Sequence, residues 1–445
     1  MIDDILYFFN LKPEEVQSSA VSHYNNTTTY VDITLNRKPA TCPHCGGAHV
    51  YAHGFALRLL KHPILYDTEC IIRYHSRRFK CQYCKSTFFE YNPFAHPNTS
   101  YTLYTYQRIF KELKNPRITF KQVAIDVGLS ITQIINLFDN LGIALRRPLP
   151  KVVCIDEFYD PKTGSGSYNC VFMDWSTGEV VDVISNRKKY YLQSYLQNIP
   201  KSERDKVEII SIDMWNPYRD IAKLYFKNAK IAVDSFHVIK NLNKALDDVR
   251  LKVMRKFDSK SNEYYLLNKF AWLIEMNYEN IHYNKPKYNR KLRMSLNHHE
   301  ILNMILKIDD ELTQIHNFKE MYRYFNKHCP YEEGREKLAK LINAFKLSGI
   351  KELQKVSNML SNWFDEIVNS LIRIEGRRVS NGPIESLNSR IRTILKNACG
   401  YRNFERERNR IFYCFNEKWI AKPQTKIRFI KRSMYQRGPY KKRKT

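Results

Sequence analysis

Two pairs of cysteines, Cys42-Pro43-His44-Cys45 and Cys81-Gln82-Tyr83-Cys84, stand 35 residues apart near the start of this chain. Two intervening residues let a tight turn bring both thiolates of a pair to one ion. Two such turns supply the four sulfurs of a closed tetrahedral zinc site. Gly46 and Gly47 permit the tight backbone such a knuckle needs. A redox dithiol would need only one pair, and buried structural thiols would not recur at this spacing. His44 lies inside the first pair, but four thiolates already close the site. The pattern assigns Cys42, Cys45, Cys81 and Cys84 to structural zinc. Cys70, Cys154, Cys170, Cys329, Cys399 and Cys414 show no pairing and read as small buried residues. Between the knuckles, Cys70 to Phe79 alternates as a strand carrying Arg73, Arg77 and Arg78, where positive charge suits phosphate contact. His53, His62 and His75 read as surface or nucleic-acid-facing.

The charge says what such a ribbon serves. Lys and Arg number 73 against 45 Asp and Glu, a net charge of +28, while 43% of the residues are apolar and 13% aromatic. That is enough apolar material to form cores, which excludes disorder, and 445 residues allow two to four domains. An anionic partner follows, with nucleic acid the leading candidate. No stretch approaches the ~20 apolar residues that cross a bilayer, and Asp3 and Asp4 stand where a signal peptide would be positive, so neither secretion nor membrane insertion is expected. From Lys418 onward there are 11 basic residues and no acid, which reads as a nonspecific DNA arm.

From Phe120 the sequence FKQVAIDVGLSITQIINLFD suits two short helices around a turn. Ala124 permits close packing, Gly128 takes the positive φ of the turn, and Ser130 caps the second helix. Val123, Val127, Leu129, Ile134 and Leu137 form the apolar face. Ile131, Thr132, Gln133 and Asn136 then face outward, where a helix-turn-helix meets base edges.

After Pro148 and Pro150, Lys151 to Phe158 reads as a buried strand ending in acids, with Val152, Cys154 and Asp156 on one face. Strand-like runs at Tyr168–Trp175 and Val180–Ser185, a helix around Leu192, a strand Val207–Asp213, a helix through Ile221 and a strand Lys230–Asp234 follow. Three strands, then helix, strand, helix and strand, is the order of an RNase H-like core. In that order the ends of the first and fourth strands adjoin, so Asp156 and Asp213 would repel unless a divalent cation joined them. A third carboxylate is sought on a later helix, and Ser380 to Arg392 supplies Glu385. There Ile384, Leu387, Ile391, Ile394 and Leu395 recur at core spacing, and Glu385, Asn388, Arg392 and Lys396 share another stripe. Asp156 to Asp213 is 57 residues but Asp213 to Glu385 is 172, too long for a simple connection. The intervening sequence reads as helical throughout, with Trp272 and Trp363 in its core.

The ordered set of paired knuckles, FKQVAIDVGLSITQII, VVCIDEF, ISIDMWNPY, AVDSFHVIK, SNGPIESLNSRIR and then Gly400-Tyr401-Arg402-Asn403-Phe404 resembles bacterial insertion-sequence transposases of the ISL-three type. The resemblance runs from about Cys42 to Arg410. It implies a DDE enzyme in which Asp156, Asp213 and Glu385 are catalytic and hold two Mg²⁺ or Mn²⁺ ions. Asp234 and His237 match a supporting D-x-x-H pair, with Asp234 the alternative second metal ligand; Asn388 supports the site, and Arg392 and Lys396 steady phosphates. The partners implied are double-stranded DNA, both the element's terminal inverted repeats and the target, and a second copy of the chain, in the bacterial cytoplasm on the nucleoid.

The expected fold is multidomain α+β. It comprises an N-terminal segment (1–40), zinc ribbon (41–92), helix-turn-helix (100–148), RNase H-like core (150–240), all-helical insertion (241–375), the rest of the core (376–417) and the basic arm (418–445). The expected function is DNA cleavage at the element's ends followed by strand transfer. Two other functions fit the same features: a DNA-binding regulator derived from a transposase, and a structure-selective nuclease.

Overall fold

The computed structural model describes residues 11–24, 27–65, 68–163 and 166–422, so the basic arm past Lys422 lies outside the described residues. The chain divides into two units: residues 1–145 with 418–445, and residues 146–417.

In the first unit, strands β1 (Val16–Tyr24), β2 (Thr28–Leu35), β3 (Val50–Leu65), β4 (Thr68–Cys81) and β5 (Thr87–Phe89) form one sheet in the order β1-β2-β4-β3, with β5 also on β4. The segment expected to stand apart before the ribbon thus supplies two of its strands. Alternation explains why: Val31, Ile33 and Leu35 of β2 and Cys70, Ile72 and Tyr74 of β4 turn the same way into one small core with Leu60 and Phe94. Helix α1 (Leu103–Leu113) follows, then α2 (Phe120–Val127) and α3 (Ile131–Asp139). Thr119 caps α2, Gly128 ends it with φ +66°, and Ser130 caps α3. A Cβ on Gly128 would meet only the Glu69 side chain at 3.6 Å, so backbone conformation rather than space requires glycine there. Val123, Ala124, Val127, Ile134 and Phe138 are buried where the two helices meet.

The second unit is built on a five-stranded sheet. Strands β6 (Val152–Tyr159), β7 (Tyr168–Asp174) and β8 (Val180–Ile184) form an antiparallel meander. Helix α4 (Lys189–Gln197), β9 (Ile209–Ile212), α5 (Asn216–Tyr225) and β10 (Lys230–Val233) follow, and the spatial order is β10-β9-β6-β7-β8. Strand β9 lies parallel to both β6 and β10. That central position accounts for the apolar run Val152–Ile155 and for the complete burial of Ile209–Ile212, Ser211 included, since both faces are covered.

Helix α6 (Ser235–Met254) starts directly after Asp234 and continues without a break past residue 241, where the insertion was expected to begin. It packs among α7 (Asn262–Lys269), α8 (Ala271–Glu275), α9 (His298–Leu306), α10 (Asp310–His328), α11 (Gly334–Leu347), α12 (Lys351–Asn362) and α13 (Phe364–Asn369). The insertion is not wholly helical. Lys287–Asn289 pairs with Met294–Leu296, and Arg373–Ile374 pairs with Arg377–Arg378 across Glu375 and Gly376, both at positive φ. Trp363 is core as expected, but Trp272 is 42% exposed. Two helices, α14 (Gly382–Asn397) and α15 (Phe404–Phe415), then return to the sheet, where Arg408 of α15 pairs with Asp182 of β8 at 2.7 Å.

Candidate active site

The register of the sheet sets the site. Ile155 of β6 lies beside Ile212 of β9, which lies beside Val233 of β10. The next residue on each strand is an aspartate, so Asp156, Asp213 and Asp234 stand in one row across three parallel strands spaced about 4.8 Å apart. Asp156 and Asp234 are buried, and Asp213 is mostly so. Burial first, and then the Asp213 charge, lifts the Asp156 carboxyl to about 7. Burial likewise holds Asp213 up to about 6, against the opposing pull of His237 and Asn381.

Helix α14 ties this row together. Asn381, just ahead of it, donates from Nδ2 to Asp213 at 2.8 Å and from its backbone N–H to Asp234 at 3.3 Å. Ser211 donates to its Oδ1 at 2.6 Å, which fixes the amide's orientation. Two turns later Asn388, 1% exposed, donates to Asp156 at 2.7 Å. Glu385 lies between them, four residues after Asn381 and three before Asn388, on the same helical stripe. It is exposed, with its pKa raised by burial of part of the side chain and by Asp234. Arg392 and Lys396 continue outward and are exposed. His237, in the first turn of α6, closes the far side, with Nε2 3.2 Å from Asp213 and Nδ1 3.6 Å from Asp234. Its pKa is raised, first by Asp234 and then by the Asp213 charge.

The expected triad is therefore gathered at one end of the sheet, although Asp156, Asp213 and Glu385 are not all within 4.8 Å of one another; among the described residues only the four cysteines are. The repulsion within the row fits a cation as counter-charge. Glu157, beside Asp156, is already held by Arg187 and by the Tyr218 hydroxyl at 2.8 Å, which leaves it no role as a free ligand. Asn381 was not among the residues expected from the sequence. Its signal was present, since it precedes Glu385 by one helical turn in the motif Ser380-Asn381-Gly382-Pro383.

In the first unit, Cys42 and Cys84 approach to 3.5 Å and Cys45 and Cys81 to 3.6 Å, close to the edge of about 3.8 Å that four 2.3 Å zinc–sulfur bonds demand. Hydrogen bonds from Ser86 hold the Cys84 thiol down to about 6, while Cys45, despite a backbone hydrogen bond from Gly47, is pushed up to about 11 by the adjoining thiols, the opposed shifts of sulfurs that share one site. The arginines expected beside the knuckles fare differently. Arg77 is buried at 5% exposure, donating to the Leu35 carbonyl and to Gln17, and Arg73 pairs with Asp32. These two serve the sheet and are not free for phosphate; Arg78 is exposed. His62 is buried against Thr102 at 3.0 Å, and burial pushes its pKa down to about 4, so it is not a surface residue. Cys399, expected to be buried, is exposed. On α3, Ile131, Thr132, Gln133 and Asn136 are all exposed, but Gln133 turns back to close the Ser130 cap.

Four clustered cysteines in one unit and a row of carboxylates at a sheet end in the other suit a structural metal and a cation-dependent enzyme site. Residues 153–411 match the ISL3 transposase domain, and residues 38–84 match the zinc-finger of transposase IS204/IS1001/IS1096/IS1165. The first match spans more than half of the chain, which belongs to the ISL3 transposase family. Its zinc-ribbon match and four-cysteine cluster support a structural zinc. A comparison with curated proteins finds no match. No helix among the described residues is long and apolar enough to cross a membrane.

Proposed function

We propose that this transposase cleaves the ends of its element and joins them to target DNA by two-metal DDE chemistry on an RNase H-like core. The observation that carries the reading is the row Asp156, Asp213 and Asp234, held through Asn388 and Asn381 to the helix that bears Glu385. Asp156, buried at the end of the row, would hold two divalent cations together with Asp213 and Glu385. Bound there, Mg²⁺ or Mn²⁺ would activate the attacking oxygen and neutralise charge on the departing 3′ oxygen. Asn388 and Asn381 keep two of the carboxylates aimed. His237, placed between Asp213 and Asp234 and with its pKa raised first by Asp234 and then by the Asp213 charge, steadies Asp213. Arg392 and Lys396, exposed on the Glu385 stripe, meet the phosphates that flank the scissile one. Asp234 is reserved for support of His237 and Asn381, and is the alternative ligand should Asp213 prove dispensable.

Helices α2 and α3 are proposed as a helix-turn-helix, with Ile131, Thr132 and Asn136 toward base edges and Gln133 structural. Two ends acted on together imply a dimer in the active complex. Purified protein incubated with labelled terminal-repeat DNA and Mg²⁺ tests the reading. Asp156→Ala, Asp213→Ala and Glu385→Ala should each abolish cleavage while end binding persists. Metal-dependent cleavage by any one of them removes that residue from the triad, and cleavage without joining reduces the enzyme to a nuclease.

A further inference from the structure

The helical insertion carries a feature the catalytic reading does not use. Between Asn280 and His299 there is no acidic residue, and Lys285, Lys287, Arg290, Lys291 and Arg293 fall within nine positions. These residues surround the hairpin in which Lys287–Asn289 pairs with Met294–Leu296. All five cations are exposed, together with Tyr283 (86%) and Tyr288 (66%).

The hairpin is firmly mounted. Leu292 and Ile281 are buried in the unit's main core, the Asn289 side chain accepts from the backbone N–H of Lys291 and Leu292, and the Tyr265 hydroxyl donates to the same oxygen at 3.3 Å. The backbone N–H of His298 donates to Asn284 at 2.9 Å, and the His299 ring lies 2.8 Å from the Ile281 carbonyl. Arg293 takes φ +56°, a conformation an arginine rarely adopts, to close the turn.

Elsewhere in the insertion several lysines are matched with acids: Lys252 with Glu311, Lys256 with Asp309, Lys337 with Glu333 and Lys340 with Glu336. Of the hairpin's five, Lys291 donates to the Lys260 carbonyl, and among the described residues none has an acid partner. A rigid projection with uncompensated cations and exposed phenol rings is complementary to a phosphate backbone, with the tyrosines available to hydrogen-bond phosphate oxygens.

We propose that the hairpin spanning residues 282–296 is a second DNA-binding element, gripping the phosphate backbone of duplex DNA without regard to sequence. The inference rests on the chain acting on DNA as a transposase. Because the hairpin would touch phosphate alone, it should contribute equally to terminal-repeat and unrelated duplexes, and its contribution should be visible in salt dependence. Removing one neutralised phosphate lowers the slope of log affinity against log salt by about 0.9. A variant that neutralises three fewer phosphates would therefore be about 40-fold less sensitive than the parent to a rise from 50 to 200 mM salt.

The test uses the full chain carrying Lys285→Ser, Lys287→Ser and Arg290→Ser, leaving Arg293 to hold the turn. Fluorescence anisotropy is read against a terminal-repeat duplex and an unrelated duplex of equal length across that salt range. The expected result is a shallower slope on both. An unchanged slope overturns the proposal, and so does a change confined to the terminal repeat, which would make the hairpin a sequence reader. Hydrogen exchange on the unaltered protein gives a reading independent of the variant's folding: duplex should protect 282–296, and absence of protection refutes the proposal. Failure of the parent to bind either duplex would instead overturn the DNA-acting reading itself.

Discussion

Replacing Asp213 by Asn should make the metal-free enzyme more stable while destroying its activity. In the folded chain the Asp213 carboxyl is raised from 3.8 to about 6, chiefly by burial, and its charge is the second cause of the rise in Asp156. A carboxyl whose folded pKa exceeds its unfolded value binds its proton more tightly when folded. Its stabilising contribution is complete below about pH 4 and is lost as pH rises through 6. The shift corresponds to about 3 kcal/mol at roughly 1.4 kcal/mol for each tenfold change in proton affinity, before the compensating pull of His237 is removed. Asparagine keeps the hydrogen bond from Asn381, since its Oδ1 accepts as the carboxylate does at 2.8 Å, and its Nδ2 donates to His237 Nε2 once that ring is neutral at pH 8 with the Asp213 charge removed. A net gain of about 2 kcal/mol at pH 8 would raise the melting temperature by about 4–8 °C for a unit of this size. Melting is followed by intrinsic fluorescence in buffer without chelator, so that zinc stays in the ribbon, at pH 5 and pH 8, with and without excess Mg²⁺. The gain should appear at pH 8, shrink at pH 5, and be matched in the parent, but not in the variant, by added Mg²⁺. A variant less stable than the parent at both pH values would show that the carboxylate row carries no electrostatic strain.

Asn388→Ala should raise the Mg²⁺ concentration needed for half-maximal cleavage by about 10–100-fold, as loss of a residue that orients a metal ligand does; an unchanged metal titration would make Asn388 a packing residue only. Cys81→Ser should lower zinc content below one ion per chain by elemental analysis and abolish end binding, with a cleavage unit still folded by circular dichroism. Gly128→Ala should cost about 1 kcal/mol through its positive φ and weaken end binding, whereas Gly128→Asn should cost less.

Much of the site was legible because it obeys short-range rules. Strand-end aspartates announce themselves after apolar runs, and the parallel register follows once β9 is placed beside β6. The Cys-x-x-Cys pairs, the Gly128 turn and the Ser130 cap are equally local. What escaped were features decided by distant partners. Arg77 looked free until Leu35, Gln17 and Glu90 surrounded it, and His62 looked like a surface residue until α1 supplied Thr102. Residues 16–35 carried no marker saying which sheet they join. The hairpin after Pro286 was too short for periodicity to register, and its turn depends on Asn289 and an arginine at positive φ.

The two asparagines that aim the aspartates come from a helix more than 140 residues downstream of Asp234. During synthesis the three aspartates of the sheet therefore emerge well before the asparagines that bond to them. If α2 and α3 read the DNA ends as proposed, a product ending before α14 would keep the zinc ribbon and the α2–α3 pair without Glu385, and would compete for the same ends. Co-expressing residues 1–375 with the full chain tests this: mobilisation of the element should fall, and an undiminished frequency would remove the competition.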